Sequence, residues 1–354
     1  MSDTIAQFAA PERLLERTPI LVVGAGKAAV LEPGSDTARM IAPDDAAGRL
    51  GDAVHMVCNA PGVGRRLGLN PGASLDVLEL FAFTLPAQFC LPTPVGLAQT
   101  LNLSDPGPDL AAQARTVRAA AETLFQRLGD PAYGFRAGAA DVAMMMARGG
   151  WPWGPAVLGA LGERGGGRPG LAVWSVLPEW EEGAPPARPG DDGVTADEAV
   201  ARLRNLLGDG AESRTTQRDY TAVASHVFRP RQSEAGPNLA LAEAGTGTGK
   251  TLGYIAPASL WAERNKGTVW LSTYTKNLQR QLDQELDRLY PDRAQKARRA
   301  VIRKGRENYL CLLNLEETAQ AVMGRGQDAT ARRDKTLIGL VMRWARYTRD
   351  GDMI

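Results

Sequence analysis

A run of small residues followed by one lysine, AGTGTGKT, covers Ala244 to Thr251 and carries the strongest chemical signal in the sequence. It fits the pattern A/G-x-x-x-x-G-K-S/T completely. Glycine lets consecutive backbone N–H groups turn inward around an anion, whereas longer side chains would block the anion's approach. The pattern predicts a phosphate-binding loop in which Lys250 contacts the β- and γ-phosphates and Thr251 gives its hydroxyl to Mg²⁺.

The segments that flank this loop are the ones that must position it. The apolar run from Leu239 to Glu243 predicts a buried strand before the loop, and TLGYIAPASLWAERN predicts a helix after it. The positive end of that helix dipole would face the bound phosphates. A strand, a glycine loop and a helix in this order favour a nucleotide site over a chance glycine turn. The predicted nucleotide-binding residues of the loop are Ala244, Gly245, Thr246, Gly247, Thr248, Gly249, Lys250 and Thr251.

Three further motifs surround the loop along the chain. SRTTQRDYTAVASHVF places Arg214 and Gln217 before the loop, and TVWLSTYTKNLQRQL predicts a strand that ends at Ser272-Thr273, followed by a helix. The leucines of that helix recur at helical spacing, which predicts that they are buried against a sheet. AVIRKGRENYLC predicts a third strand that runs into a basic loop.

These four motifs together resemble the DinG/XPD-like family of iron-sulfur superfamily 2 ATP-dependent DNA helicases. The family pattern is R-x-x-Q, then E-A-G-T-G-x-G-K-T, then S-T-x-T-x-x-L-Q-x-Q-L, then K-G-R-x-N-Y-L-C. This chain carries the motifs in the same order, at Arg214/Gln217, Glu243–Thr251, Ser272–Leu282 and Lys304–Cys311. The resemblance implies part of a P-loop RecA-like motor lobe over residues 206–354, with an iron-sulfur domain that starts near residue 305.

The resemblance also implies residue roles. Gln217, with Arg214 beside it, is expected to recognise the adenine of ATP, and the glycine loop is expected to bind the ATP phosphates with Mg²⁺. Ser272 and Thr273, with Lys276 after them, are expected to contact the backbone of single-stranded DNA, because hydroxyls and amides suit phosphates of any sequence. Cys311 takes the place of the first of four cysteines that hold a [4Fe-4S] cluster. The other three are expected beyond Ile354.

The first half of the chain resembles a DnaQ-like exonuclease domain, an RNase H-like α/β fold, over residues 18 to 130. Its segments follow in the family's order: a hairpin strand, AVHMVCNA, ASLDVLELFAFTLP, TPVGLAQTLNL and a long helix from Leu110 to Leu128. Gly24-Ala25-Gly26, which imitates a dinucleotide fingerprint, is predicted to lie in the hairpin, because no helix pattern follows it. The family's metal-binding acids are replaced by Gly24, Gly26, Val63 and Thr116, so no nuclease activity is expected.

Charge and composition divide the chain into two contrasting halves. Residues 1–205 contain 17 Lys and Arg against 23 Asp and Glu, a net of −6, whereas residues 206–354 contain 24 against 17, a net of +7. A basic lobe beside a phosphate loop suits a polyanionic partner. We expect single-stranded DNA as the partner of the second half and a protein partner for residues 1–205. The predicted domains are 1–130, a Gly/Trp-rich appendage with an acidic linker at 131–205, and 206–354.

The remaining sequence features concern location and completeness. No window reaches the length of a membrane span, the N-terminus carries no secretory signal pattern, and three distant cysteines cannot form a disulfide framework, which favours the cytoplasm. We also expect a monomer. The water-orienting acid and the arginine finger of a working helicase are missing. The chain by itself is therefore expected to bind ATP-Mg weakly and to hydrolyse it negligibly. The alternative is a nucleotide- and DNA-binding regulatory module without hydrolysis, and a P-loop kinase or transporter ATPase is disfavoured.

Overall fold

The computed structural model of the chain describes residues 10–70, 72, 74–163, 165–166, 187–208, 214–230, 236–326 and 328–353. The chain forms two compact units. The first contains Met1–Glu179 together with Gly305–Ile354, and the second contains Trp180–Lys304.

A five-stranded mixed sheet lies at the centre of the first unit. Its order is β3-β2-β1-β4-β5, in which β1 pairs antiparallel with β2 and parallel with β4. β2 also pairs antiparallel with β3, and β4 pairs parallel with β5. The sheet confirms the predicted α/β class. The strands are β1 (Ile20–Val23), β2 (Ala28–Leu31), β3 (Arg39–Ile41), β4 (Met56–Val57) and β5 (Leu75–Asp76).

The hairpin of β1 and β2 explains the glycines that imitate a dinucleotide fingerprint. All four residues of each strand are buried, as expected for strands at the centre of a covered sheet. Gly24 N–H donates to Lys27 O at 2.9 Å and closes the turn, and Gly26 has a φ of +69° there. The predicted hairpin is therefore present, and no helix starts at these glycines.

Helices cover both faces of this sheet, and the longest of them is the predicted one near residue 110. It spans Leu110–Gly129, and the Asp109 carboxylate accepts hydrogen bonds from the N–H groups of Ala111 and Ala112 at its start. Its buried residues recur every three or four positions, so one face packs on the sheet. The helices up to this point are α1 (Pro11–Arg17), α2 (Pro43–Asp52), α3 (Ala60–Leu67), α4 (Val77–Thr84), α5 (Pro94–Leu101) and α6 (Leu110–Gly129).

Four further helices of the first unit lie in its described ranges: α7 (Ala139–Arg148), α8 (Gly154–Leu161) and, from the last fifty residues of the chain, two helices designated α14 (Leu312–Met323) and α15 (Ala329–Tyr347). Trp151 and Trp153 are fully buried between α7 and α8, and their indole N–H groups donate to Glu79 Oε2 and Asp76 O. α15 packs against both α7 and α4. Residues from both ends of the chain therefore share one core.

The second unit is helical in its described part. Its helices are α9 (Ala196–Leu207), α10 (Thr215–Ala224), α11 (Lys250–Asn265), α12 (Lys276–Leu289) and α13 (Arg293–Arg299). α9, α10 and α11 pack against one another around Leu203, Leu252 and Ala256. A capping box starts α9, because Thr195 and Glu198 exchange side-chain and backbone hydrogen bonds. Across the described ranges of the whole chain, no helix is both long and apolar enough to span a membrane.

The three strands predicted for the second half are not formed. Leu239–Glu243, the segment before Ser272 and the segment before the basic loop carry no strand pairing among the described residues. Leu239 and Leu241 are 82% and 90% exposed. α12 is present as predicted, but none of its leucines is buried. The physical reason is shared: a strand needs hydrogen-bonding neighbours, and a helix can bury its apolar face only on a sheet that has formed.

The compact units do not coincide with the predicted domain boundaries. Residues 305–354 belong to the first unit by packing, whereas the motifs group them with the motor lobe. Packing and motif order are separate criteria, so the division at 130 and 205 stays a prediction. Residues 178–186, the first half of the acidic linker predicted at 178–195, lie outside the described residues.

Candidate nucleotide-binding site

The glycine loop has the backbone shape that its sequence predicts. Gly247 and Gly249 have φ values of +79° and +75°, which glycine adopts without strain. Thr248 Oγ1 donates to Gly245 O at 2.9 Å and tightens the turn. α11 begins directly after Gly249, and no side chain caps its first N–H groups. These amides are the donors that an anion at a helix N-terminus would accept from.

The ammonium group of Lys250 lies on the inner side of this loop. Its Nζ donates to Ala244 O and to Gly245 O, each at 2.8 Å. The positive charge is therefore held against the first two carbonyl groups of the loop. Phosphate oxygens could replace the two carbonyl oxygens as partners and would form stronger, charge-assisted hydrogen bonds.

Arg214 and Gln217 are brought to the loop, as the motif order predicts, and both contact its backbone. Arg214 Nη1 donates to Gly247 O at 2.9 Å, and Gln217 Nε2 donates to Gly249 O at 2.9 Å. Gln217 is buried, with 5% of its surface exposed. Their bonded carbonyls belong to the two glycines with positive φ, so these side chains hold the turn of the loop in place.

One contact beneath the site was not anticipated from the sequence. Gly253, one turn into α11, lies so close to α10 that an added Cβ would be 2.7 Å from Cδ1 of Tyr220. This close approach lets α10 pack on α11 and deliver Gln217 to the loop. The signal in the sequence was a glycine inside an otherwise regular helix, which often marks close packing.

The predicted DNA-contacting residues lie on an exposed segment. Ser272 and Lys276 are exposed and Thr273 is half-buried, and the segment has no regular structure before α12 begins at Lys276. Thr275 caps α12 by accepting from Leu278 N–H at 3.2 Å. No hydrogen bond between described residues joins Ser272, Thr273 or Lys276 to the glycine loop.

Cys311 is an exposed residue at the start of α14. Cys58 is buried and Cys90 is half-buried in the sheet-containing part of the first unit. Within the described part of the chain, no group of three or more His, Cys, Asp or Glu side chains is arranged to hold a metal ion. A [4Fe-4S] cluster needs four thiolates. The residues of this chain therefore do not fit such a cluster without additional ligands.

Asp76, a buried acid of the predicted exonuclease-like domain, has its carboxylate bonded to backbone amides. Asp76 is 4% exposed, and its carboxylate accepts from the N–H groups of Asn59 at 2.9 Å, Ala60 at 2.7 Å and Leu78 at 3.0 Å. It thereby satisfies the first amides of both α3 and α4. Burial raises the pKa of Asp76 from its usual value, and the three amide hydrogen bonds oppose that rise.

A second carboxyl group lies close to Asp76. Glu79 accepts the indole N–H of Trp151 at 2.9 Å. Burial, and next the negative charge of Asp76, raise the pKa of Glu79 to about 7. Two neighbouring carboxyl groups in an apolar surrounding resist ionisation, because each charge is poorly solvated and repels the other.

Known proteins resemble this chain over part of its length. "ATP-dependent helicase DinG" of Mycobacterium tuberculosis is 37% identical over 116 residues, which is 32% of this chain and 17% of that protein. "ATP-dependent DNA helicase YoaA" of Escherichia coli is 36% identical over 147 residues, 41% of this chain and 20% of that protein. The resemblance to DinG-like helicases is confirmed.

The DinG-like relatives also include a protein named for a different activity. "3'-5' exonuclease DinG" of Bacillus subtilis is 34% identical over 147 residues, which is 42% of this chain and 14% of that protein. The chain spans a fifth or less of the length of these three relatives. No protein-family model and no solved structure matches the chain.

Proposed function

We propose that this chain is the N-terminal portion of a DinG-like DNA helicase that couples ATP hydrolysis to translocation on single-stranded DNA. The observation that carries the proposal is the glycine loop, in which Lys250 lies inside a turn whose carbonyls are held by Arg214 and Gln217. Relatives named as ATP-dependent helicases support it.

The chain's own residues account for nucleotide binding. The amides from Gly245 to Thr251 and the Lys250 ammonium fit the charge of a triphosphate, and the Thr251 hydroxyl fits one coordination position of Mg²⁺. Bound Mg²⁺ would neutralise charge on the β- and γ-phosphates. Gln217 and Arg214 would hold the loop backbone in its present conformation through their bonds to its carbonyls. Gln217 is also assigned to contact the adenine.

The DNA-binding part of the proposal concerns Ser272, Thr273 and Lys276. Their exposure leaves hydroxyl and ammonium groups accessible to a phosphate backbone. The net charge of +7 over residues 206–354 would strengthen such binding and would make it sensitive to salt. Residues 1–205, with the opposite charge, are assigned to a protein partner. We place the protein in the cytoplasm as a monomer.

The cluster assignment applies to the complete protein only. Cys311 would supply one thiolate, and three more ligands would have to come from outside this sequence. No step of the proposed function is routed through the cluster.

Nucleotide binding by the purified chain tests the proposal. A fluorescent ATP analogue with Mg²⁺ is titrated into the wild type, Lys250→Ala and Lys276→Ala. We expect Lys250→Ala to weaken binding at least about tenfold, because a charge-assisted contact to phosphate is lost, and Lys276→Ala to leave nucleotide binding unchanged. Equal binding by wild type and Lys250→Ala would rule out the site.

A second measurement separates the helicase from the regulatory module. The chain alone is expected to hydrolyse ATP negligibly, because none of its assigned motifs supplies a water-orienting acid or an arginine finger, the latter worth about 10³–10⁵ in rate. In the full-length protein, ATP turnover stimulated by single-stranded DNA would support the helicase. Nucleotide binding with no DNA-stimulated turnover there would support the regulatory module.

A further inference from the structure

The first unit contains a cleft of about 350 Å³ at the end of β1 and beside α3, which we call the basic cleft. Its lining includes Val23, Asn59, Arg65, Arg66, Thr93 and Gln113. Its volume lies in the range that holds a small organic molecule.

The basic cleft is positively charged. Arg65 and Arg66 line it, and no Asp or Glu is among its lining residues. No ion pair between described residues neutralises either guanidinium. The Asp76 carboxylate, which accepts from Asn59 N–H, is engaged by three backbone amides and does not line the cleft. Two uncompensated arginines in a concave site favour a doubly charged anion.

The walls of the basic cleft are held in place by hydrogen bonds. Arg66 Nη1 donates to Val23 O at 2.8 Å, which fixes its guanidinium beside the end of β1. Gln113 Nε2 donates to Gly107 O at 2.8 Å, and Asn59 Oδ1 accepts from Gly62 N–H at 3.0 Å. Thr93 Oγ1 accepts from Gly96 N–H at 3.0 Å and keeps its own hydroxyl proton for a ligand. Side chains that are already held in place lose little conformational entropy when a ligand binds.

We propose that the basic cleft binds a free, small organic phosphate through its phosphomonoester group, without a metal ion. Arginine pairs with phosphate in a bidentate manner, and the Thr93 hydroxyl adds a neutral donor. The site has no carboxylate to hold a divalent cation, so the arginines themselves balance the ligand's charge. A free molecule suits the site, because a volume of about 350 Å³ is of the size that a small organic phosphate fills.

Thymidine monophosphate is the probe, titrated by isothermal calorimetry with EDTA present into the chain carrying Lys250→Ala, which is expected to weaken nucleotide binding at the glycine loop. We expect a dissociation constant below about 1 mM and at least about tenfold weaker binding of thymidine, which lacks the phosphate. Arg65→Ala should weaken binding at least about tenfold, whereas Arg39→Ala, an exposed arginine on β3, should leave it unchanged.

A matched pair at Thr93 keeps the test valid even if an arginine variant misfolds. Thr93 caps α5, and both Asn and Asp preserve such a cap. Thr93→Asn should bind within about twofold of the parent, whereas Thr93→Asp should bind at least about tenfold more weakly, because it adds a negative charge inside the cleft. Equal binding by Thr93→Asp and Thr93→Asn would overturn the proposal.

Two further outcomes would also overturn it. One is no binding of thymidine monophosphate to the parent, and the other is equal binding of thymidine. A 5'-phosphorylated oligothymidine is titrated in the same way, and its affinity is compared with that of the mononucleotide. Preference for the oligonucleotide over the mononucleotide would assign the phosphate to a DNA end and would contradict the free ligand. If the basic cleft binds no phosphate, the proposed helicase function is unaffected, because that function depends on Lys250.

Discussion

Gln217 is a single side chain on which two roles converge. From its motif, Gln217 is proposed to contact the adenine of ATP. In the structure, its side-chain amide donates a hydrogen bond to the carbonyl of Gly249. A glutamine that touches the loop backbone can make the loop's shape depend on whether the adenine is present. Glycine at 249 is required twice over, for its positive φ and for the space that the glutamine amide occupies.

Gly249→Ala is therefore expected to reduce ATP-analogue binding by about tenfold or more. The added Cβ would overlap the Gln217 amide and would also disfavour the positive φ. Gly267→Ala is no suitable control, because an added Cβ there meets Trp261, whereas Gly236→Ala meets nothing within 4 Å. Binding by Gly249→Ala equal to that of Gly236→Ala would contradict the prediction.

A second residue-scale prediction concerns pH and Glu79. Because burial raises the pKa of Glu79 to about 7 in the folded chain, the unfolded chain loses this proton first as the pH rises. The free energy of unfolding should therefore fall between about pH 4.5 and 7, with the full penalty present above pH 7. Glu79→Gln should raise the stability of the first unit by up to about 3 kcal/mol at pH 8 and leave it nearly unchanged near pH 4.5.

Urea unfolding followed by tryptophan fluorescence at both pH values checks this, since Trp151 and Trp153 are buried beside Glu79. Glu122→Gln on the exposed side of α6 is the matched control and should show no such pH dependence. The prediction is wrong if the two variants respond to pH in the same way.

The cysteines provide a third test at the same scale. Cys311 is exposed, whereas burial strongly raises the pKa of the Cys58 thiol. A thiol reagent at pH 8 should modify Cys311 first and Cys58 only after unfolding, because the thiolate is the reactive form. Cys311→Ser should remove the fast phase. A fast phase that persists in this variant would contradict the exposure of Cys311.

At the scale of elements, the sequence predicted the first unit better than the second. The hairpin of β1 and β2 and the long helix α6 were both expected, because local turn signals and helical periodicity specify them. The strand before the glycine loop was predicted from its apolar run and is not formed. Strand formation depends on partners elsewhere in the chain, and a local pattern does not report whether those partners are paired.

In the candidate nucleotide-binding site, too, some features were predicted from the sequence and others were not. The glycine loop, Arg214 and Gln217 were predicted from motifs and lie together, since their spacing fits helices that pack directly. The hydrogen bonds of Arg214 and Gln217 to loop carbonyls could not be predicted, because they depend on how α10 approaches α11. The basic cleft was also missed, since Arg66 and Thr93 are far apart in sequence and meet only in the folded unit.

Helix α15 is joined to the rest of the first unit by the buried side chain of Arg343. This arginine is 1% exposed, and it donates to Phe83 O at 3.1 Å, Phe135 O at 2.8 Å and the Tyr133 hydroxyl at 2.9 Å. Its guanidinium also lies 4.8 Å from the centre of the Phe83 ring. Replacement by methionine should destabilise the first unit by about 3 kcal/mol, because buried acceptors lose their donors.

Hydrogen exchange is the measurement, since it reports each helix separately. Arg343→Met should speed exchange in α15 and in the α4 segment that it contacts, whereas Arg349→Ala, an exposed arginine just after α15, should not. Unchanged protection of α15 in Arg343→Met would show that the apolar contacts alone hold this helix.

At the scale of the whole molecule, the fold of the first unit does not by itself establish an activity. The mixed sheet is present, yet the positions of the metal-binding acids are Gly24, Gly26, Val63 and Thr116. Without those carboxylates, two-metal phosphodiester hydrolysis lacks its ligands. We expect no Mg²⁺- or Mn²⁺-dependent release of mononucleotides from single-stranded DNA by the chain. Release that is lost with EDTA and co-purifies with the chain through successive columns would contradict this.

The contact between Arg343 and Phe83 joins residues that are 260 positions apart, and the 125 residues of the second unit lie between the two parts of the first. During synthesis, the ribosome must therefore complete the second unit before it makes the helix that covers Phe83. At roughly 5–20 residues per second, the interval between Leu161 and Arg343 lasts on the order of ten to forty seconds. Throughout that time the nascent first unit exposes an apolar face, which makes it a substrate for chaperones that bind such surfaces.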